Sequence, residues 1–433
     1  MTEVYSWGHY PNAPQTPHTV HWRSEIPVSL NEVVDSHGLT LPFGNGRSYG
    51  DSCMAASDHV LRLRPLDRLI AADWKTGVIA AEAGISLGEI LALAIPRGWF
   101  LAVAPGTQFA TLGGAIANDV HGKNHHRRGT FGCHVKRFSL RRRGEALVCS
   151  PSEQPHLFVA TIGGLGLTGV IEWAEIQLLK IRSSSIESTT ARFGTLSEFF
   201  VLSRELDSQY EYSAAWIDCL SKDGRGALIV GNHALNDELR VEQPSKREVP
   251  ITPRWSLING LTTRAFNEIV WRSYPTDRAI HYGGYSSILF PLDGIVNWNR
   301  VYGRKGFQQY QCVIPEAAAE AAIRDLLAAT AKAGQGSCLA VLKRCGTTPS
   351  PGLLSFPMAG TSLALDFPQS RRLESDLFPR LDAIVREAGG RLYPAKDAHM
   401  TGADFRKAYP AWEQIEGLRE PALNSKFWQR VTQ

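Results

Sequence analysis

The N-terminal half of the chain carries short apolar runs separated by glycines, a pattern typical of strands and tight turns. GVIAAEAG (77–84) and WFLAVAPG (99–106) each predict a strand. Between them, Ser86 and Glu89 form a capping box that predicts a helix over LGEILALA, ended by Pro96. Alternation of apolar and polar residues after Gly169 predicts a further strand.

The pattern from 307 to 393 predicts a β-α-β-β-α-β unit, the split βαβ arrangement of an antiparallel sheet backed by two helices. Its strands are FQQYQCVI, SCLAVLKR, TSLALDF and RLYPA, and its helices are EAAAEAAIRDLLAATAK, which begins after Pro315, and ESDLFPRLDAIVREA. Upstream, the polar, proline-bearing stretch 236–254 predicts a mobile surface loop.

Composition limits the class of protein. The 433 residues are 43% hydrophobic and 20% charged, as in a globular protein of two or three domains. A net charge of +4 is too small to suggest nucleic acid as a partner. The basic run 141–143 is typical of a solvated edge, although it could also face an anionic ligand or a lipid surface.

Cysteines, histidines and the N-terminal residues exclude several other classes. The seven cysteines include no C-x-x-C pair, which predicts reduced thiols. His125 and His126 are adjacent and no H-E-x-x-H spacing occurs, so we expect no metal site. Neither a signal peptide nor an apolar run of about 18 residues is present, so we expect a cytoplasmic protein without a membrane span.

Three glycine-rich segments carry the candidate chemistry: GNGRSYGD (44–51), PGTQFATLGGAIANDVHGKNHH (105–126) and ATIGGLGLTGVIEWA (160–174). The first does not fit the dinucleotide motif G-x-G-x-x-G, because Tyr49 occupies the third glycine position and no helix pattern follows. Three such segments favour one extended ligand approached closely by the backbone, although three unrelated turns would give the same count.

These segments resemble the FAD-binding domain of the vanillyl-alcohol oxidase/p-cresol methylhydroxylase (PCMH) superfamily. Within it, HGKNHH, YQCVIP, LSFPMAG, LDFP and GGRLYPAKD resemble the decaprenylphosphoryl-β-D-ribose oxidase family, over a span from about Leu41 to Pro410. The resemblance implies an α+β protein with a two-domain, PCMH-type FAD-binding oxidoreductase fold and a split βαβ-like antiparallel substrate domain. Residues 1–182 would form the FAD-binding domain, 183–390 the substrate domain, and 391–433 a C-terminal return to the FAD domain.

The resemblance also implies the cofactor, FAD, and the residues that hold it. Non-covalent binding is expected, because Arg47 stands where related enzymes carry a tethering histidine; on the residues alone, Arg47 could instead pair with Asp51. The expected FAD-binding residues are Pro42, Phe43, Gly44, Asn45, Gly46, Arg47, Ser48, Tyr49, Gly50, Asp51, Ser52, Gly106, Thr111, Leu112, Gly113, Gly114, Asn118, Asp119, Val120, His121, Ile171 and Tyr393.

Catalysis is assigned by the same resemblance to Lys396 and His121. A cation at Lys396 would stabilise an alkoxide or the charge of a reduced flavin, and an imidazole can accept a proton because its ordinary pKa is about 6.5. Without the resemblance, Lys396 is a typical surface lysine and His121 a hydrogen-bonding element of a glycine-rich loop. The expected substrate-binding residues are Tyr49, Lys123, Gln311, Lys343 and Lys396.

The reaction expected from the family is oxidation of the 2-hydroxyl of a polyprenyl-phosphoryl ribose to the ketone, the first half of an epimerisation to arabinose. The expected partners are this lipid-linked sugar phosphate, a separate keto-sugar reductase and, through the lipid, a peripheral contact with the inner membrane. An alditol or aldonolactone oxidase on the same fold is the alternative, and a non-catalytic FAD-binding protein is a third.

One departure from the family lies in TSLALDF. The lipid-linked ribose oxidases that match this stretch carry a cysteine, the point of covalent attachment of nitroaromatic inhibitors, where this chain has Ala364. An alanine has no nucleophile, so we expect no such adduct here.

Overall fold

The computed structural model describes residues 2–243 and 247–433, so part of the predicted loop 236–254 lies outside the described residues. Strands and helices are interspersed along these residues, which confirms the predicted α+β class. The strands are β1 Thr16–Thr19, β2 Pro42–Phe43, β3 His59–Arg62, β4 Leu69–Asp73, β5 Val78–Glu82, β6 Trp99–Leu101, β7 Val135–Arg141, β8 Ala146–Cys149, β9 Val170–Lys180, β10 Ser185–Phe193, β11 Tyr212–Ile217, β12 Gly226–His233, β13 Ile280–Gly284, β14 Phe307–Pro315, β15 Ala340–Cys345, β16 Gly360–Pro368 and β17 Arg391–Leu392.

The α-helices of the same residues are α1 Ile26–His37, α2 Leu87–Ala94, α3 Leu112–Ala117, α4 His125–Arg128, α5 Pro155–Thr161, α6 Leu196–Leu206, α7 Gly260–Ser273, α8 Tyr285–Leu289, α9 Glu316–Lys332, α10 Phe378–Glu387, α11 Gly402–Ala408, α12 Trp412–Leu418 and α13 Lys426–Thr432. Helix α2 begins with the predicted capping box, in which the Ser86 side chain accepts from the Glu89 amide and the Glu89 side chain accepts from that of Ser86.

Two sheets lie in the part of the chain that precedes β10. The strands β1, β3 and β2 form a small parallel sheet, and β4, β5, β9, β7 and β8 pair in that order, with β6 attached to β9. Helix α3 packs on β5 and β9, which places the second glycine-rich segment against this larger sheet.

An eight-stranded antiparallel sheet follows, in the order β13-β10-β12-β11-β15-β16-β14-β17. Its second half is the predicted split unit, β14-α9-β15-β16-α10-β17. Its first half, β10-α6-β11-β12-α7-β13, repeats the same order of elements, which the sequence pattern had not indicated. The two halves meet at β11 and β15, where Ala215 pairs with Leu342 and Trp216 with Val341.

The two faces of this sheet are covered differently. Helices α6, α9 and α10 pack on one face and bury an apolar core that includes Phe199, Leu326 and Leu381. Helix α7 lies on the other face, because Trp271 stacks on Arg192 of β10 at 3.8 Å and Tyr274 contacts the Trp216 ring. The rest of that second face remains open towards the glycine-rich segments.

The C-terminal segment returns to the N-terminal part of the chain. Leu423 bridges to Thr40 and Ser425 to Ala55, and α13 packs against residues 51–53, immediately after the first glycine-rich segment. Trp428 of α13 is buried in the core. Among the described residues, no helix combines the length and apolar character that a membrane crossing requires.

Candidate active site

A cavity of about 850 Å³ lies between the glycine-rich segments and the open face of the eight-stranded sheet. Most of the predicted site residues line it: Pro42, Phe43, Gly44, Asn45, Gly46, Arg47, Ser48, Tyr49, Ser52, Gly106, Thr111, Gly113, Gly114, Asn118, Val120, His121, Lys123, Ile171, Gln311, Lys343, Tyr393 and Lys396. Segments from both ends and from the middle of the chain therefore meet at one ligand-sized space.

Four residues that were predicted to bind the cofactor do not line the cavity. Leu112 is buried in the apolar core. Asp119 accepts hydrogen bonds from the Gly132 amide at 2.8 Å and from the Ser350 and Ser355 hydroxyls, which ties the second glycine-rich segment to the chain before β16. These contacts fit a supporting role better than contact with a ligand.

Gly50 and Asp51, the other two, attach the first glycine-rich segment to the C-terminal return. A Cβ on Gly50 would lie 1.7 Å from the Asp397 carbonyl oxygen, so only glycine fits there. The Asp51 carboxylate receives two hydrogen bonds from Arg430, at 2.9 and 3.0 Å, and Arg430 also binds Asp397 at 2.8 Å. Asp51 therefore pairs with Arg430, and the pairing with Arg47 that the residues alone left open is wrong.

The first glycine-rich segment offers unused backbone donors. Within the described residues, the amide N–H groups of Gly44 through Ser48 donate to no protein acceptor, and Ser52 Oγ is buried without a partner. Donors of this kind suit phosphate oxygens, because a buried N–H group needs an acceptor. Cβ atoms at Gly106 and Gly166 would meet open space or a single distant atom, so these glycines leave room at the cavity wall.

The second glycine-rich segment offers no free backbone donors at Gly113 and Gly114. The Gly113 amide donates to the Ala83 carbonyl at 2.8 Å, and that of Gly114 to Thr111 Oγ1 at 3.2 Å. The sequence suggests backbone donors at these glycines, but the chain after β5 and the N-cap residue of α3 already accept from them. The room beside Gly106 and Gly166 and the unused amide donors of Gly44 through Ser48 together fit an elongated group that carries phosphates, as FAD does.

Arg47 stands on the Trp7 ring, with its guanidinium carbon 4.2 Å from the ring centroid. Its Nε is buried and has no hydrogen-bond partner among the described residues. Burial lowers the pKa of this guanidinium, and the nearby Asp293 carboxylate counteracts the shift. A cation held on an aromatic face with an unused donor is placed to bind an anionic group of the ligand.

Three buried lysines face the same cavity. Burial, together with repulsion from Lys343, lowers the pKa of Lys123 to about 8, and burial lowers that of Lys343 to about 8. Burial also lowers the pKa of Lys396, which the Asp366 carboxylate partly offsets. The described lining holds two carboxylates, Asp366 and Asp293, against these three lysines and Arg47, so basic groups are in excess and the cavity is suited to an anionic ligand.

His121 lies at the centre of the cavity wall. The Gln311 amide donates to its Nε2 at 3.2 Å, so this nitrogen is unprotonated, and Nδ1 is buried without a partner among the described residues. Burial and the charge of Lys343 hold the pKa of His121 well below its ordinary value. The imidazole is therefore neutral in the free protein and positions Gln311, rather than carrying a charge.

Lys396 is held by aromatic and acidic neighbours. Its Nζ lies 3.5 Å from the centroid of the Tyr49 ring. Asp366 accepts from Gln309 Nε2 at 2.6 Å, while its Oδ2 has no partner within the described chain. Burial raises the pKa of Asp366 and lowers that of Lys396, so the two groups have closely spaced pKa values and their protonation is linked.

The mouth of the cavity is apolar. Phe266 and Val270 of α7 and Tyr274, which follows it, line it. Trp255, which precedes α7 in the chain, and Leu261 in its first turn are exposed over 73% and 79% of their surface. Exposed side chains of this size beside a cavity mark a contact with apolar material.

The sequence patterns did not identify several residues of the site. Asp366 stands in the quoted motif LDFP, and an acid inside an apolar strand was the available signal. Trp7 and Arg430 gave no signal, because each acts on a residue far away in the sequence. Helix α7 buries the polar residues Thr263 and Asn267 and leaves the apolar Leu261 and Ile269 exposed, so its apolar spacing does not predict how it packs.

Comparisons with known proteins agree with this geometry. Residues 25–150 match a family model described as an FAD binding domain. The chain is 35% identical over 397 residues, 87% of its length and 85% of the relative's, to decaprenylphosphoryl-β-D-ribose oxidase of Mycolicibacterium smegmatis.

Two further relatives are less similar to this chain in sequence. An uncharacterized protein of Streptomyces coelicolor is 32% identical over 77% of this chain and 95% of its own length. A putative D-arabinono-1,4-lactone oxidase of Neurospora crassa is 27% identical over 40% of this chain and 31% of its own length. The match to the lactone oxidase leaves most of both chains uncovered.

Proposed function

Since this chain belongs to the decaprenylphosphoryl-β-D-ribose oxidase family of FAD-dependent oxidoreductases, we propose that it oxidises the 2-hydroxyl of a polyprenyl-phosphoryl ribose to the ketone. The observation that carries this proposal is the set of three buried lysines, Lys123, Lys343 and Lys396, that line one cavity and outnumber its described carboxylates, Asp366 and Asp293. A phosphodiester-linked sugar supplies the missing negative charge, whereas a neutral polyol or lactone does not.

The chain's own residues would act in three ways. Bound FAD supplies the acceptor for the hydride that leaves the sugar carbon. The loop 44–48 and Arg47 would hold its phosphates through backbone donors and the guanidinium. Lys123 and Lys343 would bind the substrate phosphate, and each contact to a charged group is worth about 1.5–3 kcal/mol.

Lys396 would stabilise the charge that develops on the sugar oxygen as its proton leaves. Asp366 would set the charge of Lys396, and His121 would orient the sugar through Gln311. Tyr49, under the Lys396 ammonium, would complete the pocket for the sugar.

The lipid part of the substrate accounts for the apolar mouth. We infer that the polyprenyl chain leaves the cavity past α7 and that Trp255 and Leu261 contact the membrane in which it is dissolved. Phospholipid vesicles should sediment with the wild-type protein and much less with the variant Trp255→Ser, Leu261→Ser. Val201→Ser, which changes another exposed apolar side chain, on α6, is the matched control.

The ketone must be reduced from the opposite face to complete an epimerisation to arabinose, and we propose that a separate reductase does this. The product of this enzyme alone should therefore be the keto sugar. Mass spectrometry of the product should show a loss of two hydrogens without further change.

Anaerobic reduction of the flavin tests the central proposal. A polyprenyl-phosphoryl ribose with a shortened chain should bleach the flavin band, and the double variant Lys123→Met, Lys343→Met should need at least about 10-fold more substrate. Lys136→Met, an exposed lysine of β7, should behave as the wild type. Reduction by alditols or aldonolactones, and not by the phosphorylated sugar, would favour the alternative oxidase.

A further inference from the structure

Three histidines meet at the edge of the small parallel sheet. His18 lies in β1, His59 begins β3, and His37 ends α1. One ring nitrogen from each residue lies within 4.8 Å of the other two. In a tetrahedral site, nitrogens at about 2.0–2.1 Å from the metal lie roughly 3.3 Å from one another, so small side-chain rotations would suffice to enclose an ion.

The three rings are in close contact with one another. His18 Nε2 lies 3.0 Å from His59 Nδ1, which requires that at least one of these nitrogens carries no proton. The His37 ring stacks on that of His59 with centroids 3.5 Å apart.

The nearest carboxylate is already engaged. Asp58 pairs with Lys426 at 2.9 Å and accepts from Gln15 at 2.8 Å. An ion at the cluster would therefore be held by three imidazoles, with its remaining position open to water, because His37 is exposed. Three histidines and a water are a ligand set that suits Zn²⁺ and related divalent transition metal ions.

The backbone at two of the ligands is fixed. After His37, Gly38 adopts a φ of +78° and donates its amide to the Val34 carbonyl at 2.7 Å, which ends α1 at the histidine. The His59 carbonyl accepts from Thr40 Oγ1 at 2.9 Å. Fixed backbones reduce the entropy that ion binding would cost.

We propose that His18, His37 and His59 form a binding site for a divalent transition metal ion of the Zn²⁺ class. An ion there joins the end of α1 to β1 and β3, and β3 pairs with β2, which leads directly into the loop at Gly44. The site lies outside the cavity, and its role is to stabilise the sheet from which the cofactor loop starts. Sequence spacing did not reveal it, since the three ligands are far apart in the chain and form no local motif.

Zinc binding by the untagged, FAD-loaded enzyme tests this site. After treatment with a chelator and its removal, titration with ZnCl₂ against a zinc-binding dye should give one ion per chain. His37→Ala should weaken binding at least about 10-fold, since even the loss of an outer-shell partner costs 10–100-fold. His21→Ala, which changes a histidine outside the cluster just after β1, should bind as the wild type does.

Stability gives a second measurement. Zinc should raise the temperature at which the wild type releases FAD, and it should leave that of His37→Ala unchanged. His59→Ala should reproduce the result from a second ligand. A wild type that binds no zinc, or a His37→Ala variant that binds it equally well, would overturn the proposal.

Discussion

Replacing Arg430 with alanine should detach the cofactor loop from the C-terminal return. Arg430 is the shared partner of Asp51 and Asp397, whose side chains are only 6% and 2% exposed. Removal of one partner from a buried ion pair costs about 3–5 kcal/mol, because the remaining charge has no compensation. Here two carboxylates would remain, so we expect a loss of at least about 3 kcal/mol at pH 7.

The loss of stability in Arg430→Ala should become smaller at lower pH. Arg430 lowers the pKa of Asp51, which burial raises, so without Arg430 the folded-state pKa of Asp51 lies further above its unfolded value. A group with a raised folded-state pKa destabilises the fold when it is ionised, and that cost disappears as the pH falls through the folded-state pKa. The difference between Arg430→Ala and the wild type should therefore shrink on acidification.

Urea unfolding followed by tryptophan fluorescence, at pH 8 and pH 5, measures the effect, and flavin fluorescence reports release of FAD. Arg324→Ala, which breaks an exposed ion pair with Glu320 one helical turn away, is the matched control and should cost less than about 0.5 kcal/mol. If Arg430→Ala costs no more than this control, or if its cost grows on acidification, the ion network does not hold the loop.

Four further outcomes are expected. Acid precipitation of the yellow holoenzyme should leave the flavin in the supernatant, because Arg47 cannot form the bond of a tethering histidine; a yellow pellet would contradict this. Lys396→Ala should keep FAD but lose flavin reduction by substrate. Asp366→Asn should shift the limb of the pH–rate profile that belongs to Lys396 to lower pH, because Asp366 raises the pKa of that lysine. An unshifted profile would show that Asp366 does not control the protonation of Lys396. Intact-mass analysis after incubation with a nitroaromatic inhibitor and substrate should show no adduct on the wild type and one on Ala364→Cys, since Ala364 lines the cavity beside its strand partner Gln311.

The sequence predicts those parts of the fold that local patterns encode. The capping box at Ser86, the strand before it and the complete unit from 307 to 393 are regular in their apolar spacing, and the structure contains all of them. The repeat of that unit in the first half of the sheet escaped prediction. Its second helix, α7, packs on the opposite face and buries the polar Thr263 and Asn267 while Leu261 and Ile269 are exposed, so apolar spacing does not mark its packed side.

In the candidate site, too, local patterns predict some residues and miss the contacts made by others. Glycines and the family motifs identify most of the residues on the cavity wall. Asp51 was expected to face the ligand or Arg47, yet its partner is Arg430, and no local pattern can indicate an ion pair between residues so far apart. The amide of Gly113 is similarly occupied by Ala83, a partner that only the packing of α3 against β5 supplies.

The pairing of Asp51 with Arg430 also has a consequence for synthesis of the protein. The two residues are separated by 379 positions. At about 5–20 residues per second, the ribosome makes Asp51 roughly 20 to 75 s before Arg430. During that interval the glycine-rich loop has no counter-ion for its carboxylate, so capture of FAD by a completed loop has to follow translation of α13.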